Sequence, residues 1–144
     1  MGLPVGEMQS AYISLYRGDT TLQALLTGSS SPTWNVFDAD GVPTNQPFPY
    51  VVVQQILGKL GTLFVFGNDA ADISTLVSVF TQAGGFATAR GIAKRIDTLT
   101  HMTSLTLAGG FLDIGILREN YVEVPEKDGI TQHIAQRFKA FVQG

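Results

Sequence analysis

The sequence contains no cysteine at any of its 144 positions. This absence excludes disulfide bridges, thiolate metal sites and a cysteine nucleophile, but it leaves the redox compartment open. Charged residues are also scarce, at 15% of the chain, and they form no basic block. The formal net charge of −3 argues against tight non-specific binding of DNA or RNA, whose affinity comes from neutralised phosphates.

Long apolar runs are missing as well. The longest ones, such as Tyr50 to Val53, are far too short to span a bilayer. The segment MGLPVGEMQS has no basic region followed by an apolar stretch, and Gly6 lies where a myristoylation motif has Ser or Thr. We therefore expect a soluble protein without an export signal and without a membrane partner.

The residues that are present favour one compact unit. A length of 144 residues with 44% hydrophobic content is enough for one core, so we expect a single domain over residues 1–144. Apolar residues recur at helical spacing from Glu7 to Arg17, and again after Gly84-Gly85 as far as Leu99. Asp19 is the expected N-cap of a short additional helical turn that ends at Gly28.

The remaining segments are predicted to be strands joined by turns. Phe48 to Leu57 is the first long strand, and its β-branched residues Val51 to Val53 predict that both of its faces are covered. The other predicted strands are Trp34–Phe37, Thr62–Phe66, Ile73–Thr81, Leu105–Leu107, Leu112–Ile116 and a last strand that alternates from Ile130 to Val142. This pattern predicts an α+β fold with two main helices packed on a curved, mostly antiparallel β-sheet, in the order α-β-β-β-β-α-β-β-β.

The segment VSVFTQAGGFATARGIAKRI, Val77 to Ile96, places two glycines between a strand and a helix, which is also the layout of a phosphate-binding loop. The lysine and the Ser or Thr of a mononucleotide loop are missing at the helix start, and the G-x-G-x-x-G pattern is absent. The glycines are therefore predicted to let the strand turn into a packed helix. A small domain that holds an anion with Arg90, Lys94 and the Gly84-Gly85 turn stays as an alternative.

The other reactive side chains form no recognisable set. His101 and His133 are not at metal-ligand spacing, and no G-x-S-x-G motif occurs. The acidic pairs Asp38 with Asp40 and Asp69 with Asp72 lie in turn-rich segments, where Asp normally bonds its own backbone. We therefore predict no catalytic residue, no cofactor-binding residue and no metal ligand.

Six segments, taken in order, resemble the tail completion, or tail terminator, proteins of bacteriophages with long flexible tails and of related prophage elements. They follow an opening helix and cover nearly the whole chain. The segments are DTTLQALLTG, WNVFDA, QPFPYVVVQ, VSVFTQAGGFATARGIAKRIDTL, LTLAGG and DGITQHIAQRFKAFV.

The resemblance implies a structural virion protein that is not an enzyme and has no cofactor. Members of this family form a ring, commonly a homo-hexamer, that caps the head-proximal end of the tail tube and ends tube growth. The ring contacts the tail tube protein and the head connector or stopper protein, and DNA passes through it without specific binding. The implied location is the virion tail or neck, after assembly in the host cytoplasm. Another neck or head-completion ring protein is the alternative within this class.

A ring with a head-to-tail interface requires two different adhesive surfaces on each subunit. Two apolar segments flanked by turns are the candidates for these subunit or partner interfaces, with ordinary core strands as the competing interpretation. The candidate residues are Leu60, Leu63, Phe64, Val65 and Phe66 in one segment, and Tyr121, Val122 and Val124 in the other.

Overall fold

A computed structural model describes residues 5–29, 31, 33–60, 70–82, 85–110 and 112–143. Within these ranges the chain forms three helices and five strands. In chain order they are α1 (Val5–Arg17), α2 (Thr20–Leu25), β1 (Val36–Asp38), β2 (Tyr50–Leu60), β3 (Ala70–Thr81), α3 (Gly85–Thr100), β4 (Leu112–Pro125) and β5 (Gln132–Gln143).

The five strands form one sheet in the order β1-β2-β3-β5-β4. Only β1 and β2 run parallel, whereas the three other neighbouring pairs are antiparallel. The predicted α+β fold with a mostly antiparallel sheet is therefore confirmed. The sheet is open, with β1 at one edge and β4 at the other.

The helices pack on one face of this sheet. Helix α1 buries Met8, Tyr12 and Tyr16, one turn apart, and helix α3 buries a stripe that includes Ile92 and Ile96, as the helical spacing predicts. These side chains form one core with the inward side chains of the three interior strands, including Val51 and Val53 of β2. The inward apolar residues of β3 and β5 are Ile73, Val77, Val79, Ile134, Phe138, Ala140 and Val142.

The predicted N-cap of α2 is confirmed, but the helix ends at Leu25, before the predicted end at Gly28. The Asp19 carboxylate accepts a hydrogen bond from the Leu22 N–H at 2.8 Å, which is the N-cap geometry. Gly28 has φ +79°, a left-handed conformation that glycine adopts without steric cost just after a helix end. Local chemistry alone was therefore sufficient to predict this short helix.

Several predicted strands have other bounds in the structure, and β4 continues to Pro125, well beyond the predicted end at Ile116. Trp34 and Asn35 both have φ +53°, so β1 begins only at Val36. Residues 105–107 contain a single bridge residue and no strand, because the Leu105 N–H donates to the Asp113 carboxylate at 2.8 Å and not to a ladder. The last strand begins at Gln132, and Ile130 is 58% exposed.

The prediction that both faces of the first long strand are covered is wrong for the part of the chain that the structure describes. Val51 and Val53 are buried under α1, whereas Val52 points to the opposite face and is only half-buried. The predicted strand Thr62–Phe66 lies outside the described residues.

Candidate assembly surfaces

The sheet face that points away from the helices is called the open face here. Because side chains alternate along a strand, each long strand contributes every second residue to it. Leu117 and Val122 are 42% and 44% exposed on this face. Half-buried apolar side chains also lie on this face, but Lys139 and Ala135 are the cross-strand neighbours of Leu117 and Val122. These half-buried residues are Val52, Leu76, Phe80, Val124 and Phe141.

Aromatic rings cross one end of the open face from strand to strand. The ring centroids of Tyr50 and Phe80 are 5.2 Å apart, and those of Phe80 and His133 are 4.3 Å apart, both in stacked geometry. His133 Nδ1 lies 2.9 Å from Glu126 Oε1. Because these three rings stack on one another, they stabilise the pairing of neighbouring strands. Only part of their ring surface is left for contact with a partner.

A groove of about 380 Å³ lies between α3 and β4, on the helix-covered side near the edge of the sheet. It is called the α3–β4 groove here. Its lining combines cationic, acidic and amide side chains. The lining residues are Arg90, Ala93, Lys94, Asp97, Arg118, Tyr121 and Gln136.

Two ion pairs join α3 to β4 along this groove. Arg90 binds both carboxylate oxygens of Glu123, at 2.5 and 2.8 Å, and Arg118 Nη1 lies 2.6 Å from Asp97 Oδ2. The hydrogen bonds from Arg90 lower the pKa of Glu123 to about 2, and the Tyr121 hydroxyl, which also donates to Glu123, contributes to this shift. The two ion pairs therefore connect the rim of the groove from α3 to β4.

Several groups in the α3–β4 groove have no partner among the described residues. The exposed Lys94 ammonium forms no ion pair there. Gln136 is only 2% exposed and its Nε2 donates to the Ala93 carbonyl at 3.1 Å, but its Oε1 accepts no hydrogen bond. Asp97 Oδ1 is also buried without a donor. The groove thus presents a free cation beside unused acceptors.

The residues predicted as interface do not form one surface. Tyr121 lines the α3–β4 groove, whereas Val122 and Val124 lie on the open face, because they occupy positions of different parity in β4. Leu60 is the last residue of β2. Leu63, Phe64, Val65 and Phe66 lie outside the described residues.

The remaining sequence candidates have structural partners. Asp38 Oδ1 accepts the Asp40 N–H at 3.4 Å, a local turn contact as predicted. His101 Nδ1 accepts the Arg118 N–H at 3.0 Å and so supports the outer edge of β4. In the described ranges no three His, Cys, Asp or Glu side chains are grouped as metal ligands would be.

The anion site suggested by Arg90 and Lys94 is weakened because the Arg90 guanidinium is bound to Glu123. None of the described helices has the length and apolar character needed to cross a membrane.

Sequence reasoning missed the α3–β4 groove, although the alternation of Tyr121 with Glu123 placed both on one face of a strand. Arg90, which binds Glu123 and completes the groove, is 33 residues away in the sequence, so a local pattern could not predict the contact.

The comparisons with known proteins decide the class. The sequence model of the family described as "Tail completion protein gp17" matches residues 11–143. The chain belongs to this family. A comparison with curated proteins finds no match.

Solved structures share the fold of this tail completion chain. A chain from a structure titled "Virion of native gene transfer agent (GTA) particle" is 23% identical, covers 98% of both chains and superposes with a TM-score of 0.79. A second solved chain is 13% identical, covers 95% of this chain and 91% of its own length, and has a TM-score of 0.56. The similarity extends over nearly the whole chain in both comparisons.

Family membership makes the chain a structural component of a phage-type tail, carried in the virion together with other tail proteins. The family is one of structural tail proteins and is not known for enzymatic activity. The predicted resemblance to tail completion proteins is confirmed.

Proposed function

We propose that this chain forms a ring, a homo-hexamer, that caps the head-proximal end of the tail tube. The ring ends growth of the tube and joins the tail to the head connector. The tail completion family supplies the class of function. The single structural observation that supports assembly is the open face, where one side of a five-stranded sheet has no covering layer in the described part of the chain.

The chemistry of the open face suits a protein partner. Leu117 and Val122 each expose more than two fifths of their surface there, and Val122 lies beside the half-buried Val124. Burying apolar surface contributes roughly 25 cal/mol per Å², so covering this face would stabilise an assembly.

The second adhesive surface that a ring requires is proposed to be the segment from Leu60 to Phe66. Its apolar sequence, with Leu63, Phe64, Val65 and Phe66, carries this part of the proposal. The excess of acidic over basic residues is compatible with DNA crossing the ring without being held, because phosphate binding requires clustered Lys and Arg.

Native mass spectrometry over a range of protein concentrations tests the ring. We expect a hexamer, either alone or after addition of purified tail tubes that lack heads. Electron microscopy of those tubes should then show one ring at one end, and further tube protein should not add to that end. A chain that stays monomeric and leaves the tube ends free would contradict the proposal.

The same assay separates a terminator from another neck protein. A head-completion ring would bind isolated head connectors and ignore headless tubes, whereas a terminator binds the tubes. Binding to connectors alone would therefore replace the proposed function with the neck alternative.

A further inference from the structure

The α3–β4 groove is built to receive a ligand that offers both negative charge and hydrogen-bond donors. Lys94 is a free cation on its rim, and Arg118, whose guanidinium is paired with Asp97, also lines the groove with 45% of its side chain exposed. The interior contributes Gln136 Oε1 and Asp97 Oδ1, two buried acceptors without a donor among the described residues. A simple anion would satisfy the cations but would leave these acceptors unpaired, which is costly in a buried place.

The opposite edge of the same sheet carries the complementary chemistry. A cavity of about 330 Å³ there is lined by residues that include Asp38, Asp40 and Gln54. This set is called the acidic edge here. Both carboxylates are exposed and form no ion pair within the described residues, and the exposed Gln54 amide has no hydrogen-bond partner there. The acidic edge therefore offers the negative charge and the amide donor that the groove lacks.

We propose that the α3–β4 groove of one subunit binds the acidic edge of a second copy of this chain. The contact pairs Asp38 and Asp40 with Lys94 and Arg118, and the half-exposed Tyr121 ring packs at the centre of the contact. Tyr and Arg are the residue types that most often dominate binding energy at such positions. This inference rests on the proposed ring and assigns one of its subunit contacts.

The two surfaces lie at opposite edges of the sheet, as a head-to-tail contact between copies requires. The acidic edge adjoins β1 and the groove adjoins β4, with β2, β3 and β5 between them. Four strand spacings of about 4.8 Å separate the two edges by roughly 19 Å. Two different surfaces of this kind permit a head-to-tail contact, which closes into a ring when the rotation between neighbouring subunits allows it.

Charge reversal tests this contact directly. Lys94→Glu and Asp40→Lys should each raise the protein concentration needed for half-assembly by about tenfold or more, because each places like charges together. The double variant that carries both changes should assemble at a concentration close to that of the wild type. Lys127→Glu, the same charge change on an exposed turn, is the matched control and should assemble normally.

A mixture of the two single variants gives a sharper result. An equal mixture of Lys94→Glu and Asp40→Lys chains can alternate around a ring, so that every contact pairs opposite charges. We expect native mass spectrometry to show complexes with equal numbers of the two chains, although each chain alone assembles poorly. This recovery also shows that both variants are folded.

Two results overturn the inference while leaving the proposed function intact. One is assembly of both single variants at the wild-type concentration, and the other is failure of the mixture and of the double variant to recover assembly. A wild-type chain that forms no ring, even on tail tubes, would overturn the proposed function itself.

Discussion

At the scale of the residue, Asp19 shows how one side chain serves two elements. Its carboxylate caps α2 through Leu22 and also binds Arg95 of α3 at 2.7 and 2.9 Å. The hydrogen bond from Arg95 is the main reason that the pKa of Asp19 is lowered. The cap is predictable from the neighbouring sequence, whereas the contact with Arg95, 76 residues away, is not.

The Asp19 contacts predict an acid-sensitive contribution to stability. Because the pKa of Asp19 is lower in the folded than in the unfolded protein, its contribution to the free energy of unfolding is complete above the unfolded pKa of about 3.9. The contribution is lost as the pH falls through the folded pKa. We expect Asp19→Asn, which keeps a cap but loses the charge, to be destabilised at pH 7 and to approach the wild type as the pH falls through the lowered folded pKa. Asp19→Ala should lose about 1 kcal/mol more, because the cap is lost as well.

Urea unfolding at pH 7 and at several pH values from about 4 down to about 2 measures this difference. Asp113 titrates in the opposite sense, since burial raises its pKa, but it is present in both proteins and its effect cancels in the comparison. A difference between wild type and Asp19→Asn that does not change with pH would contradict the ion-pair interpretation.

At the scale of the element, α1 and α3 are joined by a buried hydrogen bond. Tyr16 Oη lies 2.7 Å from Thr100 Oγ1, and the Thr100 hydroxyl itself donates to the Ile96 carbonyl at 2.7 Å. Tyr16 is therefore the donor between the helices, and burial raises its pKa well above the ordinary value. Periodicity predicted both helices because it is a local pattern, but not their pairing.

Removing the Tyr16 hydroxyl and removing the Thr100 hydroxyl should lower the free energy of unfolding by different amounts. Tyr16→Phe leaves Thr100 still bonded to Ile96, so we expect a loss of about 1 kcal/mol. Thr100→Val leaves the Tyr16 hydroxyl buried without an acceptor, so we expect a larger loss of about 2 kcal/mol. Equilibrium unfolding of both variants measures the order, and a larger cost for Tyr16→Phe would contradict the assigned donor.

The strand predicted at residues 105–107 does not form, and the reason lies in the hydrogen bonds of this segment. Its hydrophobic alternation is that of a strand, and the positive φ angles of Gly109 and Gly110 suit a hairpin turn. However, Asp113 accepts hydrogen bonds from the Leu105 and Gly115 N–H groups and so diverts backbone donors from a ladder. A competing side-chain acceptor of this kind is difficult to predict from periodicity.

At the scale of the whole molecule, the open face is the feature with the largest consequence for assembly. Val122→Asp places a charge at a half-exposed position, so the monomer should remain folded while assembly is lost. Ala87→Asp, an exposed change in the first turn of α3, is the matched control. Native mass spectrometry and circular dichroism together measure both properties, and normal assembly of Val122→Asp would exclude the open face as an interface.

Phe64→Asp makes the corresponding test for the proposed second surface. We expect a folded monomer that cannot assemble, because an interface residue contributes little to the core of the free subunit. An unfolded variant would instead indicate that Phe64 belongs to core packing.

The sequence by itself determined the fold class, the two long helices, the Asp19 cap and the tail completion family, because periodicity, capping and ordered motifs are carried by neighbouring residues. Only the tertiary structure decided which sheet face is open and which residues meet in the α3–β4 groove. It also separated Tyr121 from Val122 and Val124 on opposite faces of β4. These features depend on strand register and on contacts such as Arg90 with Glu123, which packing creates between residues far apart in the chain.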